Sequence, residues 1–341
     1  MSEHYERFED RIRTGKQEAV ARKSRYSPYC DFIYYRSSRD QELQLAMRVL
    51  KPRHPAKMLV TTHGWHMSIP PFEYMEEPFN KDYLVIEVDM RGRAYSDGEA
   101  DCNGWELLDI IDAVNYVRKH YAACIIDPEI VYFEAGSGGG GNAYALAGKF
   151  PDFFTAVTAL CGISNYALWY NDDDTGEFRD ELDVWIGCSP ETHPMAYESR
   201  SGLALAANLL TPLFICHGET DIRVPVAHAR RYVQQSELLG KNELVTYLEL
   251  PGVGTRDHWG NAAAEQMEQL GMRSERHRQK HSQTVEIPVR GSFIVAGYLY
   301  TKRFSVVLDS LDQIARIDYD LEYGEFKVTG HKQGGYTLNV Y

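Results

Sequence analysis

No run of about 18 consecutive apolar residues occurs in the chain, so no membrane-crossing helix is expected. The opening segment MSEHYERFEDRIRTGKQEAVARK is charged throughout and lacks the apolar core of a secretion signal. Positive charge is in short supply. Lys and Arg number 36 against 49 Asp and Glu, a formal net charge of −13, which repels phosphate backbones and anionic lipid. Neither nucleic acid nor a membrane is an expected partner. Cysteine is sparse too: Cys30, Cys102, Cys124, Cys161, Cys188 and Cys216 are scattered, with no CxxC pair. They read as buried free thiols of a reducing compartment rather than a disulfide framework. A cytoplasmic location is the expectation, with leaderless export the alternative. No HExxH or clustered His/Cys spacing marks a metal site. No GxxxxGK[ST] occurs, and no glycine fingerprint opens the first strand–helix unit, so no cofactor is expected.

What is present is the balance of an ordinary globular chain, 44% hydrophobic and 25% charged over 341 residues. That length suits one large core with a small appendage. A polar helix is expected over 3–23, within an N-terminal extension spanning 1–27. Strand-like runs at Cys30–Arg36 and 42–49 flank the charged loop SSRDQ, as a hairpin would. Buried strands then alternate with helices. The strands are Lys57–Thr62, Tyr83–Val88, 129–134, 155–161, 213–217 and Val245–Leu250; the helices are 104–121, Gly138–Lys149, 226–239 and 262–270. This alternation predicts a mostly parallel sheet covered by helices on both faces, in a catalytic domain over 28–272.

The stretch 163–201 breaks that rhythm with Trp169, Tyr170, Trp185 and the acidic loop NDDDTGE, and reads as a lid inserted over one end of the sheet. The acidic loop lacks a closing carboxylate for calcium, because Leu182 stands at that position, so it reads as a solvated loop. The basic stretch MRSERHRQKHSQ reads as a linker over 273–283. Beyond it, runs at 292–300, 303–308, 314–319 and 324–329 predict a small C-terminal β-rich domain over 284–341.

Four segments carry chemistry. In IVYFEAGSGGGGNAYALA, over 130–147, a strand runs into Ser137 and straight on into a helix of small residues. So sharp a turn strains the serine backbone and leaves room only for small residues two positions away, here Ala135 and Gly139. The serine oxygen is thereby exposed, and the N–H of Gly138 sits at a helix start where it can donate to an oxyanion. In VTTHGWH, a strand ends in His63-Gly64, and Trp65 is the expected second oxyanion donor, with His66 the alternative. In TPLFICHGETDIRVP, Asp221 follows a buried strand, and in the glycine-rich loop GVGTRDHWG a strand end presents His258. A serine hydroxyl needs a base to take its proton, and the base needs a carboxylate to hold its tautomer. Ser137, Asp221 and His258 fall in that chain order, each after a successive strand. Asp257 is the rival acid; His217 and His63 are rival bases. His66, Trp169, Tyr170 and Trp185 are candidates to line a substrate pocket. Arg91 and Arg93 follow a strand end near the same crevice. Surface ion pairing is the expected role for both, and reading an anionic substrate group the alternative.

These segments resemble the prolyl oligopeptidase (S9-like) branch of the α/β-hydrolases, which also holds acetyl xylan esterases and other deacylating esterases. The matching stretches are LQLAMRVLKP, THGW, DMRGRAYSDG, EAGSGGGGNAYALA, FPDFFTAVTAL and TPLFICHGETDIRVP, together with the His258 loop, over about residues 28–272. The resemblance implies an α/β-hydrolase fold and the roles named above. Three features depart from it. Ala135 replaces a glycine, the His258 loop is longer, and no N-terminal β-propeller precedes the matching region. Without such a filter, esters are the expected substrates, small or polymeric. An S9-like peptidase or amidase is the alternative, and a hydrolase-like scaffold serving as a binding module is a third reading. The resemblance does not account for residues 284–341, for which a homo-oligomer contact is the suggestion.

Overall fold

The computed structural model describes residues 22–80, 82–330 and 334–341. The helix expected over 3–23 falls almost wholly outside the described residues. Eight strands form one sheet: β1 (Cys30–Arg36), β2 (Gln44–Leu50), β3 (Lys57–Thr62), β4 (Tyr83–Val88), β5 (Val131–Gly136), β6 (Ala156–Leu160), β7 (Leu213–Gly218) and β8 (Val245–Leu250). Their spatial order is β1-β2-β4-β3-β5-β6-β7-β8. β2 pairs antiparallel with both neighbours, and from β4 to β8 every pairing is parallel. This is the α/β-hydrolase fold.

Parallel strands need crossovers, and helices supply them. They are α1 (Glu106–His120) and α2 (Gly138–Lys149), the lid helices α3 (Tyr166–Asn171), α4 (Arg179–Trp185) and α5 (Pro194–Glu198), then α6 (Ala227–Leu238) and α7 (Ala264–Lys280). α1 turns Leu107, Ile110, Ile111, Val114 and Val117 onto the sheet, the spacing of one helical face. β7 is buried at all six positions, as a strand covered on both faces must be. No described helix is long and apolar enough to cross a membrane.

α7 corrects the reading of 273–283 as a linker. The helix continues unbroken to Lys280, and Ser274, His277 and Arg278 are buried. Arg278 pairs with Glu134 and with Glu275, 3.0 Å away, and its guanidinium lies 5.2 Å from the Tyr83 ring. The inward face of this half of the helix is held by ions and hydrogen bonds, so it carries none of the apolar periodicity that marks an amphipathic helix.

The remaining strands form a second, antiparallel sheet: β9 (Arg290–Ala296), β10 (Tyr298–Tyr300), β11 (Phe304–Leu308), β12 (Ile314–Asp320), β13 (Glu325–Thr329) and β14 (Tyr336–Val340), in the order β13-β12-β9-β10-β11-β14. The single run read over 292–300 is two strands. Gly297, at φ +70, turns the chain between them. β14 has no counterpart among the predicted runs, although Tyr336, Leu338 and Val340 alternate with Thr337 and Asn339; most of it is solvent-exposed.

This sheet has its own core around Phe293, Val295, Leu299, Phe304 and Ile317, yet it is bonded into the larger body. The Asn208 side chain accepts from Ile294 N and donates to Ile294 O, each at 2.7 Å, in the manner of a neighbouring strand. Tyr298 is fully buried in the core of the first sheet, donates to Gly104 O at 2.6 Å and stacks on Trp105 at 5.0 Å. Lys149, at the end of α2, donates to Ala296 O with its ammonium 4.3 Å from the Tyr298 ring centre. Burial pushes this amine down to about 7. Replacing Tyr298 by Ala empties the joint between the two sheets, and a loss of about 3–5 kcal/mol is expected in urea unfolding. Removing the 68% exposed Tyr323 should change stability by less than about 0.5 kcal/mol. Equal effects of the two would mean that Tyr298 does not join the sheets.

Candidate active site

Ser137 is the single residue between β5 and α2. Its φ of 58° and ψ of −122° lie where a side chain is disfavoured, at a cost of about 1–3 kcal/mol. The surrounding contacts hold it there. Its N–H donates to Leu160 O at 2.9 Å, and α2 is pressed onto the strands beneath it. A Cβ on Gly139 would lie 2.6 Å from Thr62 Oγ1 and 2.7 Å from Ala135 Cβ, and one on Gly140 would lie 2.6 Å from Leu160 O. Serine at a helix start ordinarily caps the helix. Ser137 does not; its hydroxyl instead lies 2.9 Å from His258 Nε2.

The other ring nitrogen of His258, Nδ1, is 2.6 Å from Asp221 Oδ2. Asp221 is 6% exposed, and its second oxygen accepts from the N–H groups of Arg223 at 2.9 Å and Val224 at 3.0 Å. Those bonds aim the carboxylate. It accepts the Nδ1–H of His258 and so leaves Nε2 free to accept from the serine hydroxyl. The structure thus brings Ser137, His258 and Asp221 into one continuous chain of hydrogen bonds, although Asp221 lies 84 residues beyond Ser137 and His258 a further 37.

The rivals make other bonds, although His217 Nε2 also lies 3.7 Å from Asp221 Oδ2. His63 accepts from Met90 N at 3.1 Å through Nε2 and donates to Gly64 O at 2.9 Å through Nδ1. Burial, helped by Arg93, pushes its pKa down to about 3, so it shapes the turn as a neutral ring. His217 Nε2 donates to Val224 O at 2.8 Å. Asp257 is solvent-exposed and faces no histidine among the described contacts.

Gly138 and Trp65, the expected oxyanion donors, face each other closely enough that a Cβ on Gly138 would lie 2.7 Å from Trp65 N. The N–H of Gly138 belongs to the first turn of α2, where no intrahelical acceptor exists. The Trp65 indole donates to Glu181 at 2.5 Å and packs against Trp169 and Trp185 at 4.8 and 4.7 Å.

The expected pocket residues take different places. Trp169 is 2% exposed, stacked on Phe178 at 4.1 Å, and donates to Arg223 O. His66 stacks on Phe178, with its ring nitrogens 3.0 Å from Glu181 and 3.4 Å from Glu177. Both brace the lid. Tyr170 is half-buried on the lid and donates to Asp183 at 3.3 Å. Trp185 is half-buried, with its ring over the Arg93 guanidinium at 4.4 Å.

Glu177 and Glu181 were not among the expected site residues; Glu177 belongs to the loop that reads as solvated. Glu177 pairs with Arg223, beside Asp221, and with Arg256, beside His258, at 3.5 Å. The NDDDTGE loop is ordered by Asp173, which accepts from the N–H groups of Thr175, Gly176, Phe178 and Arg179. Arg91 and Arg93 depart from the surface-pair reading. Both are buried, and Arg91 forms a two-pronged bond to Asp109. All six cysteines are free, with Cys124 and Cys188 only half-buried.

Cys161 is a further residue that the sequence did not flag. Its sulfur and the ligand atoms of Asp221 and His258 lie within 4.8 Å of one another. Burial, and then the Asp221 charge, push its thiol up, so it is neutral. The direct Asp221–His258 bond fills the space a metal would take between two of these groups.

A model of the prolyl oligopeptidase family matches residues 70–271. Among curated relatives, the chain is 25% identical over 244 residues to esterase LipC of Mycobacterium tuberculosis, covering 65% of this chain and 58% of that protein. It is 30% identical over 168 residues to the uncharacterized peptidase YuxL of Bacillus subtilis, covering 47% of this chain and 25% of that one. Among solved structures, an acylaminoacyl peptidase of Pyrococcus horikoshii superposes with a TM-score of 0.60 at 21% identity, over 76% of this chain and 43% of that one. An esterase of Pyrococcus furiosus superposes with a TM-score of 0.53 at 13% identity, over 78% and 94%. The chain therefore spans 58% and 25% of the curated relatives named here, less than two thirds of either.

Gly138→Ala tests the convergence of the two backbone donors. Its added carbon should push the Trp65 loop away and slow labelling of Ser137 by a fluorophosphonate roughly a hundredfold, with circular dichroism unchanged. Labelling at the parent rate would show that the two N–H groups do not act together.

Proposed function

We propose, from the premise that the chain belongs to the prolyl oligopeptidase family, that it is a serine hydrolase cleaving carboxylic esters through an acyl-enzyme on Ser137. One observation carries this reading: the unbroken line from the Ser137 hydroxyl through His258 to the Asp221 carboxylate.

The steps follow from that line. Ser137 Oγ attacks the ester carbonyl carbon while His258 Nε2 takes its proton. Asp221 stabilises the imidazolium that forms. The carbonyl oxygen, now an anion, sits between the N–H groups of Gly138 and Trp65. His258 returns the proton to the leaving oxygen as the carbon–oxygen bond breaks, and the alcohol departs. Water then attacks the acyl-serine, giving up its proton to His258. The acid is released and the hydroxyl of Ser137 restored. No step calls for a cofactor.

The likeness to esterase LipC, which extends over more than half of that protein, favours esters. The likeness to the Bacillus peptidase and to the acylaminoacyl peptidase fold favours a second reading, an amidase or peptidase using the same residues.

Ser137→Ala should abolish hydrolysis of 4-nitrophenyl acetate and labelling by a fluorophosphonate without changing the melting temperature. Turnover retained in that variant would remove the assignment. Asp221→Asn should lower kcat about 10⁴-fold, because the ring would lose its enforced tautomer. Matched ester and anilide substrates decide between the two readings: turnover of the anilide at a rate equal to the ester would favour the amidase.

A further inference from the structure

Arg93 is 4% exposed, and its Nε and Nη1 are buried without a hydrogen bond. Its neighbour Arg91 shows how this fold compensates a buried guanidinium, with two bonds to Asp109 at 2.6 and 2.8 Å. Arg93 has no such carboxylate among the described residues. Its guanidinium lies over the face of Trp185, 4.4 Å from the ring centre. A guanidinium does not deprotonate in a protein, so it cannot escape burial by becoming neutral. A buried charge without an ionic partner is costly and is seldom kept without one.

The position of this charge gives it meaning. Arg93 lines a small cavity whose other walls include His63, Gly64, Trp65, Gly138 and Trp185, with room for about one water. Two of those residues are the oxyanion donors. No hydrogen bond joins it to His63 or Glu106 among the described residues. His63 is neutral. Glu106, also in the wall, accepts from Asn103 N; burial pushes its carboxyl up to about 7, while the Arg93 charge pulls it down.

We infer that Arg93 binds a carboxylate on the acyl portion of the substrate, so that the enzyme prefers half-esters of short dicarboxylic acids. This inference rests on the serine hydrolase reading above. The acyl side follows from geometry. The leaving oxygen must lie towards His258, which protonates it, and no residue of the His258 loop lines this cavity among the described residues. A short acid follows from the cavity's sharing walls with the oxyanion donors; with room for about one water as it stands, the cavity takes the acyl chain only as Trp185 moves aside. Trp185, half-buried at the end of α4, is the mouth: the carboxylate displaces the indole face from the guanidinium. A planar carboxylate meets a guanidinium through two parallel hydrogen bonds, a stronger and more directional contact than an aromatic face offers.

The test compares 4-nitrophenyl hemisuccinate with 4-nitrophenyl butyrate, acyl chains of similar length that differ in the terminal carboxylate. The parent enzyme should favour the hemisuccinate in kcat/KM by roughly tenfold or more. Arg93→Gln should lose that preference, with kcat/KM for the hemisuccinate falling further than that for the butyrate, and Arg93→Lys should recover part of it, as a charge without the planar fork would. Equal turnover of the two esters by the parent, or equal losses on both in Arg93→Gln, would overturn the inference. A second measurement does not depend on catalysis. Ser137→Ala protein titrated calorimetrically with monomethyl succinate should bind it, and the added Arg93→Gln substitution should abolish binding. Binding without cleavage of either ester would count against the hydrolase reading and uphold the carboxylate site. Cleavage of butyrate without binding of monomethyl succinate would do the reverse.

Discussion

The left-handed backbone at Ser137 is the constraint around which the rest is arranged. The chain must leave β5, hold one residue in a disfavoured conformation and enter α2 at once. That is feasible only if α2 comes very close to the strands, and it does so with four consecutive glycines. Glycine weakens a helix by about 1 kcal/mol per residue relative to alanine, so α2 is a poor helix on its own. It survives because all twelve of its residues are buried; helical stability in proteins comes mostly from such packing. The same close approach sets Gly138 against Trp65 and turns the serine hydroxyl outward to the imidazole.

The lid holds the neighbouring loops in register with that turn. Glu177 reaches Arg223 beside the acid and Arg256 beside the base, while Glu181 holds the indole of Trp65. His66 stands between the two carboxylates, stacked on Phe178. Three loops from distant parts of the chain are thus tied to one short helix and the turn before it. A buried polar network of this kind specifies a single arrangement when its members are satisfied. The aromatic cluster of Trp65, Tyr166, Trp169, Phe178 and Tyr197 supplies the apolar floor. It explains why Trp169, which reads in the sequence as a pocket wall, is part of the lid's own core.

The second sheet is joined to the catalytic body rather than tethered to it. Asn208 extends its backbone pairing, Tyr298 enters the first sheet's core, and Arg200 reaches Asp312 at 2.6 Å. Lys149 couples this joint to the far end of α2, the helix that begins at the serine. Support for the catalytic turn therefore comes from both ends of one helix. The separate domain over 284–341 remains a proposal about folding units, and these shared contacts weigh against independence.

The sequence by itself determined the strands of the first sheet, the serine turn, and the order in which serine, aspartate and histidine are presented. These rest on local physics. A buried parallel strand is a continuous apolar run, and a strained turn demands small neighbours at fixed offsets, so a short window of residues suffices to see them. The tertiary structure alone decided the roles of Glu177, Glu181, Cys161 and Arg93, the burial of Arg91, and the continuation of α7 through a stretch that reads as polar linker. In each case the deciding interaction is a charge or hydrogen bond between segments distant in the chain. A charged residue carries no mark of whether water or a buried partner will surround it, because its own chemistry is the same in both places and only the fold chooses between them.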